Sequence, residues 1–207
     1  MRAERRQKIE RVASQRQAGL TLVLEDIHDP HNAAAILRTA DAFGIQTVHF
    51  VFNQEAPYNP RRVGKSSSSS ANLWLDFVRH ASIDDCVAAL KADGDQLVAT
   101  ALTDKAMDLY TADLSAERIA ILLGNEHAGL SPRALELADT VVQLPMRGFV
   151  QSLNVSVTAA LVIAEVTRQR RPNMERYLLN KAEQTALVSA WLERRGGRDG
   201  NNGVRTT

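Results

Sequence analysis

Three short segments of the 207-residue chain combine polar side chains with the backbone freedom that chemistry needs. The first, HDPHNAAAILRTADAFG (28–44), puts Asn32 in a helix's first turn and Arg38 beside a packing face of Ala33, Ile36, Leu37, Ala40 and Phe43. At 100° per residue the two polar groups lie ~120° apart, so only the length of the arginine side chain could make them converge. Arginine is a permanent cation with a planar fork of donors, suited to phosphate and poor at taking a proton. Taken alone, such a residue is more often a surface or ion-paired arginine. The second segment, LLGNEHAGLS (122–131), runs an apolar strand into a loop where Glu126 lies between Gly124 and Gly129. Glycines there let backbone come close to a ligand, although a turn with a solvated Glu explains the segment equally well. His127 reads as a solvated neighbour. The third, LPMRGFVQSLNVSVTAALVIAEVTRQRR (144–171), is a loop broken by Pro145 and Gly148 that enters a helix. Free loop N–H and C=O groups beside a helix N-terminus form a cradle for a small molecule.

The elements that must hold these segments follow from periodicity. LTLVLED (20–26), QTVHFVF (46–52), LWLDFV (73–78), QLVATAL (96–102), RIAILLG (118–124) and TVVQLP (140–145) read as strands. The continuous apolar runs at 96–102 and 118–124 suit a parallel sheet covered on both faces. Asp29-Pro30 starts a helix that Gly44 closes, and SIDDCVAALKADG (82–94) is a helix with a glycine stop. Ser131 caps a short helix at 131–138, and Ser152 reads as the N-cap of the long one. The middle of that helix, Val155 to Val166, is small or aliphatic apart from Ser156, Thr158 and Glu165. A helix so apolar needs burial on all sides, by its own domain or by a partner. Strands alternating with helices predict an α/β fold, a mostly parallel sheet with helices on both faces. Residues 1–19 form a basic N-terminal helix, 20–172 the main domain, 173–195 a C-terminal helical extension and 196–207 a disordered tail. No G-x-G-x-x-G follows the first strand and no P-loop motif occurs, which argues against an ordinary dinucleotide site.

Composition narrows the setting. No apolar run approaches the ~20 residues of a membrane span, and the charged N-terminus lacks a signal peptide's apolar core. Cys86 is the single cysteine, which excludes an intramolecular disulfide and rules out Cys-based zinc sites on this reading. A cytoplasmic protein is expected. The net charge of +1 conceals a segregation: residues 1–17 carry +4, residues 18–167 carry −8 and residues 168–198 carry +5. Charge runs are usually solvated helix faces, but two basic ends around an acidic body suggest a polyanion gripped by the termini.

Read in order, the segments give N-x5-RTA-x2-FG, LGNE-x2-GLS and LPM-x-G-x2-QSLNVSV. This closely resembles the three motifs of the SPOUT-class RNA ribose 2′-O-methyltransferases, and within them the TrmH family, which methylates guanosine-18 in the tRNA D-loop. The resemblance extends over nearly the whole chain, from ERRQKIERV to SAWLERR. It implies a C-terminal trefoil knot, a homodimer and S-adenosylmethionine held largely by backbone. The donor-binding residues it implies are Thr100, Ala101 and Leu102, then Leu123 and Gly124, then Leu144, Met146, Gly148, Ser152 and Leu153. Arg38 matches the catalytic arginine, which would orient the 3′-side phosphate and ease loss of the 2′-hydroxyl proton. A phosphate-coupled proton shift is an alternative. Asn32, Glu126, Ser152 and Asn154 match positions that orient arginine, ribose and donor. Arg5, Arg6, Arg11, Arg16, Arg168, Arg170 and Arg171 would hold tRNA phosphates. No metal is called for. Two features depart from the pattern, the five-serine run in KSSSSSANLWL and Phe149 where Met is usual.

Two other readings compete. A sister enzyme acting on ribosomal RNA or another tRNA position often carries an extra N-terminal domain, whereas about 19 residues precede the first strand here. A catalytically silent RNA-binding module of the same fold conflicts with an intact Arg38, Glu126 and Asn154.

Overall fold

The computed structural model describes residues 3–62, 71–196 and 204–206; the five-serine run lies outside them. Among the described residues eight parallel strands form one sheet: β1 (Leu20–Glu25), β2 (Thr47–Val51), β3 (Asp76–His80), β4 (Gln96–Thr100), β5 (Met107–Asp108), β6 (Ile119–Leu123), β7 (Thr140–Gln143) and β8 (Val204–Thr206). Their order is β5-β7-β4-β6-β1-β2-β3-β8. The helices are α1 (Ala3–Ala13), α2 (Pro30–Ala42), α3 (Ile83–Ala92), α4 (Pro132–Leu137), α5 (Val155–Arg170) and α6 (Lys181–Gly196). Every residue of β1 and β6 is buried, as the unbroken apolar runs require of strands covered on both faces.

Alternation of side chains along the strands divides the core. Leu22, Leu24, Phe50, Ile121 and Leu123 meet α2 and α5 on one face. Val23, Val51, Leu97, Ala120 and Leu122 meet α3 and α4 on the other. A third cluster, Ile9, Ala13, Leu187 and Trp191, packs the two ends of the chain together through α1 and α6. No described helix is long and apolar enough to cross a membrane.

Several expectations require correction. The N-terminal helix, expected over 1–19, stops at Ala13, because Arg16 and Gln17 turn inward: the Arg16 guanidinium reaches the carboxylate of Asp41 and the carbonyl of Ile45. The third strand starts at Asp76, not Leu73, since residues 71–73 form a 3-10 turn. Residues 204–206 of the tail, expected to be disordered, add a parallel strand to β3. The two-residue β5 was too short to register as a period. Helix α5, expected to need its own domain or a partner to bury it, is covered only in part by its own domain. Ala159, Val162, Ile163 and Val166 face the core, whereas Val157 is exposed and Ala160, Leu161 and Ala164 are half-buried.

Candidate active site

Because the strands run parallel, their carboxyl ends share one edge of the sheet, the edge where ligands of open α/β sheets bind. Three loops leave that edge, after β4, β6 and β7, and enclose a cavity of about 400 Å³. That is within the usual range for small-molecule sites, roughly 300–1,000 Å³. Thr100, Ala101, Leu102, Gly124, Leu144, Met146, Ser152 and Leu153 all line it, as expected of donor-binding residues. Leu123 and Gly148 do not. Leu123 ends β6 with its side chain fully buried in the core, and Gly148 stands on an exposed stretch running to Val150. Gln151, within the third motif, and Thr103 also line the cavity, and nothing in the spacing of Thr103 marked it.

The middle loop is folded tightly on itself. Asn125 and Gly129 pair through both backbone groups, and the Asn125 side chain accepts from the N–H groups of His127 and Ala128. A Cβ on Gly124 would sit 2.3 Å from the backbone of Gly129 and Leu130, so the fold of this wall requires glycine. Asn125 also donates to the carbonyl of Asp26, tying the loop to β1. The signal for this was present, since Asn side chains commonly mimic a backbone turn two residues on.

Glu126 joins the three motifs. Its carboxylate accepts from the N–H groups of His28 (2.9 Å) and Asp29 (3.1 Å) ahead of α2, and from Nδ2 of Asn32 (2.8 Å). Asn32 in turn accepts from Nδ2 of Asn154 at 3.0 Å. The Asn154 side-chain oxygen Oδ1 accepts from the N–H and hydroxyl of Ser156, so Asn154, not Ser152, is the N-cap of α5. The helix therefore begins two residues later than a Ser152 cap would place it. Partial burial is the largest single influence on Glu126 and pushes its carboxyl up. The hydrogen bonds from Asn32, His28, its own N–H and Asp29 together outweigh it, holding the group below the ordinary carboxylate range. His28 pairs with Glu55 at 2.9 Å, and hydrogen bonding and charge from Glu55 raise its imidazole above the usual value.

Arg38 is exposed on α2, outside the cavity lining, and makes no hydrogen bond or ion pair with any described residue. About 9 Å of helix separate it from Asn32. Helix α2 packs on α5, so the element that carries Arg38 is fixed against the helix that starts at Asn154.

The arginines expected on RNA divide. Arg5, Arg6, Arg11, Arg168 and Arg171 are exposed or nearly so. Arg16 and Arg170 are buried, 1% and 0% exposed, and their expected phosphate contacts are overturned. Arg170 continues the stripe of Ile163 and Val166 into the core, where it donates to the carbonyls of Gly19 (3.1 Å), Ala116 (3.0 Å) and Glu117 (3.3 Å) and lies 4.5 Å from the Tyr177 ring centroid. Burial, its dominant influence, lowers its pKa to about 10.

The cavity suits S-adenosylmethionine by the character of its walls. Its lining contains Glu126 but no Lys or Arg, so a cationic sulfonium meets no like charge, and much of the surface is loop backbone and apolar side chain.

Comparison with known proteins agrees. A tRNA (guanosine(18)-2′-O)-methyltransferase of Escherichia coli K12 is 41% identical, over 91% of this chain and 82% of its own length. The enzyme of the same description from Thermus thermophilus is 37% identical over 92% and 96%. The crystal structure of an Aquifex aeolicus TrmH/SpoU tRNA modifying enzyme superposes with a TM-score of 0.84 at 26% identity, covering 94% of this chain and 98% of that one. The SpoU methyltransferase AviRb of Streptomyces viridochromogenes, solved with the cofactor AdoMet, gives 0.62 at 31% identity over 75% and 59%. The profile of the SpoU rRNA methylase family matches residues 19–164, and the chain belongs to that family.

Proposed function

We propose that this protein transfers the methyl group of S-adenosylmethionine to the ribose 2′-hydroxyl of guanosine-18 in the tRNA D-loop. The observation that carries the reading is the hydrogen-bonded chain Glu126–Asn32–Asn154, which joins the three motif segments beside the loop cavity. Relatives named for that reaction at 41% and 37% identity favour it over a ribosomal target. The donor, when bound, supplies a methyl group on a sulfonium for in-line displacement by an oxygen. Thr100–Leu102, Gly124, Leu144, Met146, Ser152 and Leu153 would hold it in the cavity they line. Glu126 orients Asn32, which orients Asn154, so that the loop after β6 and the starts of α2 and α5 keep one geometry. Arg38, whose guanidinium no described residue claims, grips the phosphate 3′ of the target ribose. A fixed positive charge there lowers the cost of removing the hydroxyl proton. Arg5, Arg6, Arg11, Arg168 and Arg171 contact phosphates at positions that set orientation rather than sequence.

The functional unit in this reading is a cytoplasmic homodimer, with the C-terminal part tied in the trefoil knot of its class. The partly exposed apolar face of α5, with Val157 45% exposed, and the exposed Phe149 and Val150 support a second copy. The test is transfer of labelled methyl to a full-length tRNA transcript and to the same transcript with guanosine-18 replaced. Labelling of the first alone is expected. Equal labelling of both would move the target elsewhere in tRNA, and labelling of ribosomal RNA alone would overturn the tRNA assignment.

A further inference from the structure

On the sheet face covered by α3, three potential metal ligands from separate elements meet. His49 on β2 and His80 on β3 lie on the same side as Val51, the residue His80 opposes in register. Cys86 descends from α3 onto them. All three are buried, with 9%, 4% and 0% exposure. The imidazole rings are within 7° of parallel, and Nδ1 of His49 lies 2.8 Å from Nε2 of His80, so one ring donates to the other. The two nitrogens and the Cys86 sulfur all lie within 4.8 Å of one another. Nothing in the methyl-transfer reading uses these residues.

We propose that His49, His80 and Cys86 bind a thiophilic d10 cation, zinc(II) or copper(I), which ties β2, β3 and α3 together. Two imidazoles and a thiolate are the donor set such cations favour. The cation takes the place of the proton shared between the rings. With metal–nitrogen bonds of about 2.0 Å, the two nitrogens need part by only about half an ångström. The displaced proton moves to the other nitrogen of the ring that held it, and the thiol proton leaves to solvent. Burial, the largest influence, pushes the His49 imidazole down to about 4 and also lowers His80, which keeps both rings neutral and able to coordinate. The same burial pushes the Cys86 thiol up to about 12, so the apo site keeps its proton until a metal displaces it. A single cysteine does not exclude a Cys-containing site when the other ligands come from neighbouring strands.

The test uses the full chain purified without a polyhistidine tag. Cobalt(II) serves as optical probe, zinc(II) as its competitor, and copper(I) is offered anaerobically against a coloured chelator. One equivalent of metal per chain is expected, with a thiolate-to-cobalt charge-transfer band that zinc removes, or with copper(I) retained against the chelator; the two arms tell the cations apart. Cys86→Ser should abolish the band, and His49→Gln or His80→Gln should weaken binding by at least about tenfold. A folded wild-type protein that shows no such band and retains no copper(I) overturns the proposal. So does unchanged metal stoichiometry in folded Cys86→Ser.

Discussion

The joined ends of the chain and the loop edge of the sheet use arginine in opposite ways. Where the ends meet the body, Arg16 and Arg170 are folded in, each fork occupied by backbone carbonyls and its plane set against an aromatic ring. On α2, beside the loop edge, Arg38 is exposed and unclaimed by any described residue. A guanidinium buried with both terminal nitrogens hydrogen-bonded holds structure and is closed to a ligand. Arg38, with no partner among the described residues, contributes little to folding and is exposed to a ligand. Total basic charge at the termini therefore overstates the surface open to RNA.

That contrast can be broken by mutation, beginning with the largest effect. Arg38→Ala should lower methyl transfer by about 100-fold or more, the usual consequence of removing a charge that stabilises a developing anion, while the thermal midpoint stays within about a degree. Equal loss of activity and stability would show that Arg38 is structural. Arg170→Ala should do the reverse. It leaves the carbonyls of Gly19, Ala116 and Glu117 without this donor, and at about 1–3 kcal/mol for an unsatisfied buried group a loss of about 3 kcal/mol should appear in urea unfolding. Arg168→Ala, which removes an i,i+3 pair with Glu165, should cost under about 1 kcal/mol.

The smallest effect concerns Glu126. Its folded carboxyl is held below the unfolded value, so its stabilisation is present at neutral pH and lost as pH falls through the depressed folded value. The acid side of a plot of thermal midpoint against pH should therefore be steeper in the wild type than in Glu126→Gln. Identical slopes would mean that the carboxylate's hydrogen bonds carry no folding energy.

Most of the frame was legible because parallel strands buried on both faces leave unbroken apolar runs, and because Asp29-Pro30, Ser82 and Ser131 cap their helices with the expected side-chain bonds. The Ser152 cap was misread: Asn154 and Ser152 are both good caps by type, and only the path of the loop decides between them. Arg16 and Arg170 looked like surface charge, yet Arg170 continues an inward stripe, Ile163–Val166–Arg170, while Arg16 is turned in beyond the end of α1. For Arg170 periodicity carried the signal, and the charge of the residue obscured it; for Arg16 the end of the helix hid it. The juxtaposition of Glu126, Asn32 and Asn154 was beyond local pattern, since their hydrogen bonds span 94 and 122 residues. His49, His80 and Cys86 met for the same reason, through strand register rather than spacing.

Arg170 has a consequence in time as well as in space. Its guanidinium bonds to Gln17 and Gly19, more than 150 residues earlier in the chain, and to Ala116 and Glu117. Contacts that close so long a loop form only after the segments between are in place, which makes folding slow. Interactions absent from the transition state for folding slow unfolding rather than speed folding. The buried arginine is thus placed as a latch, expected to fasten late and to slow the loss of the native state.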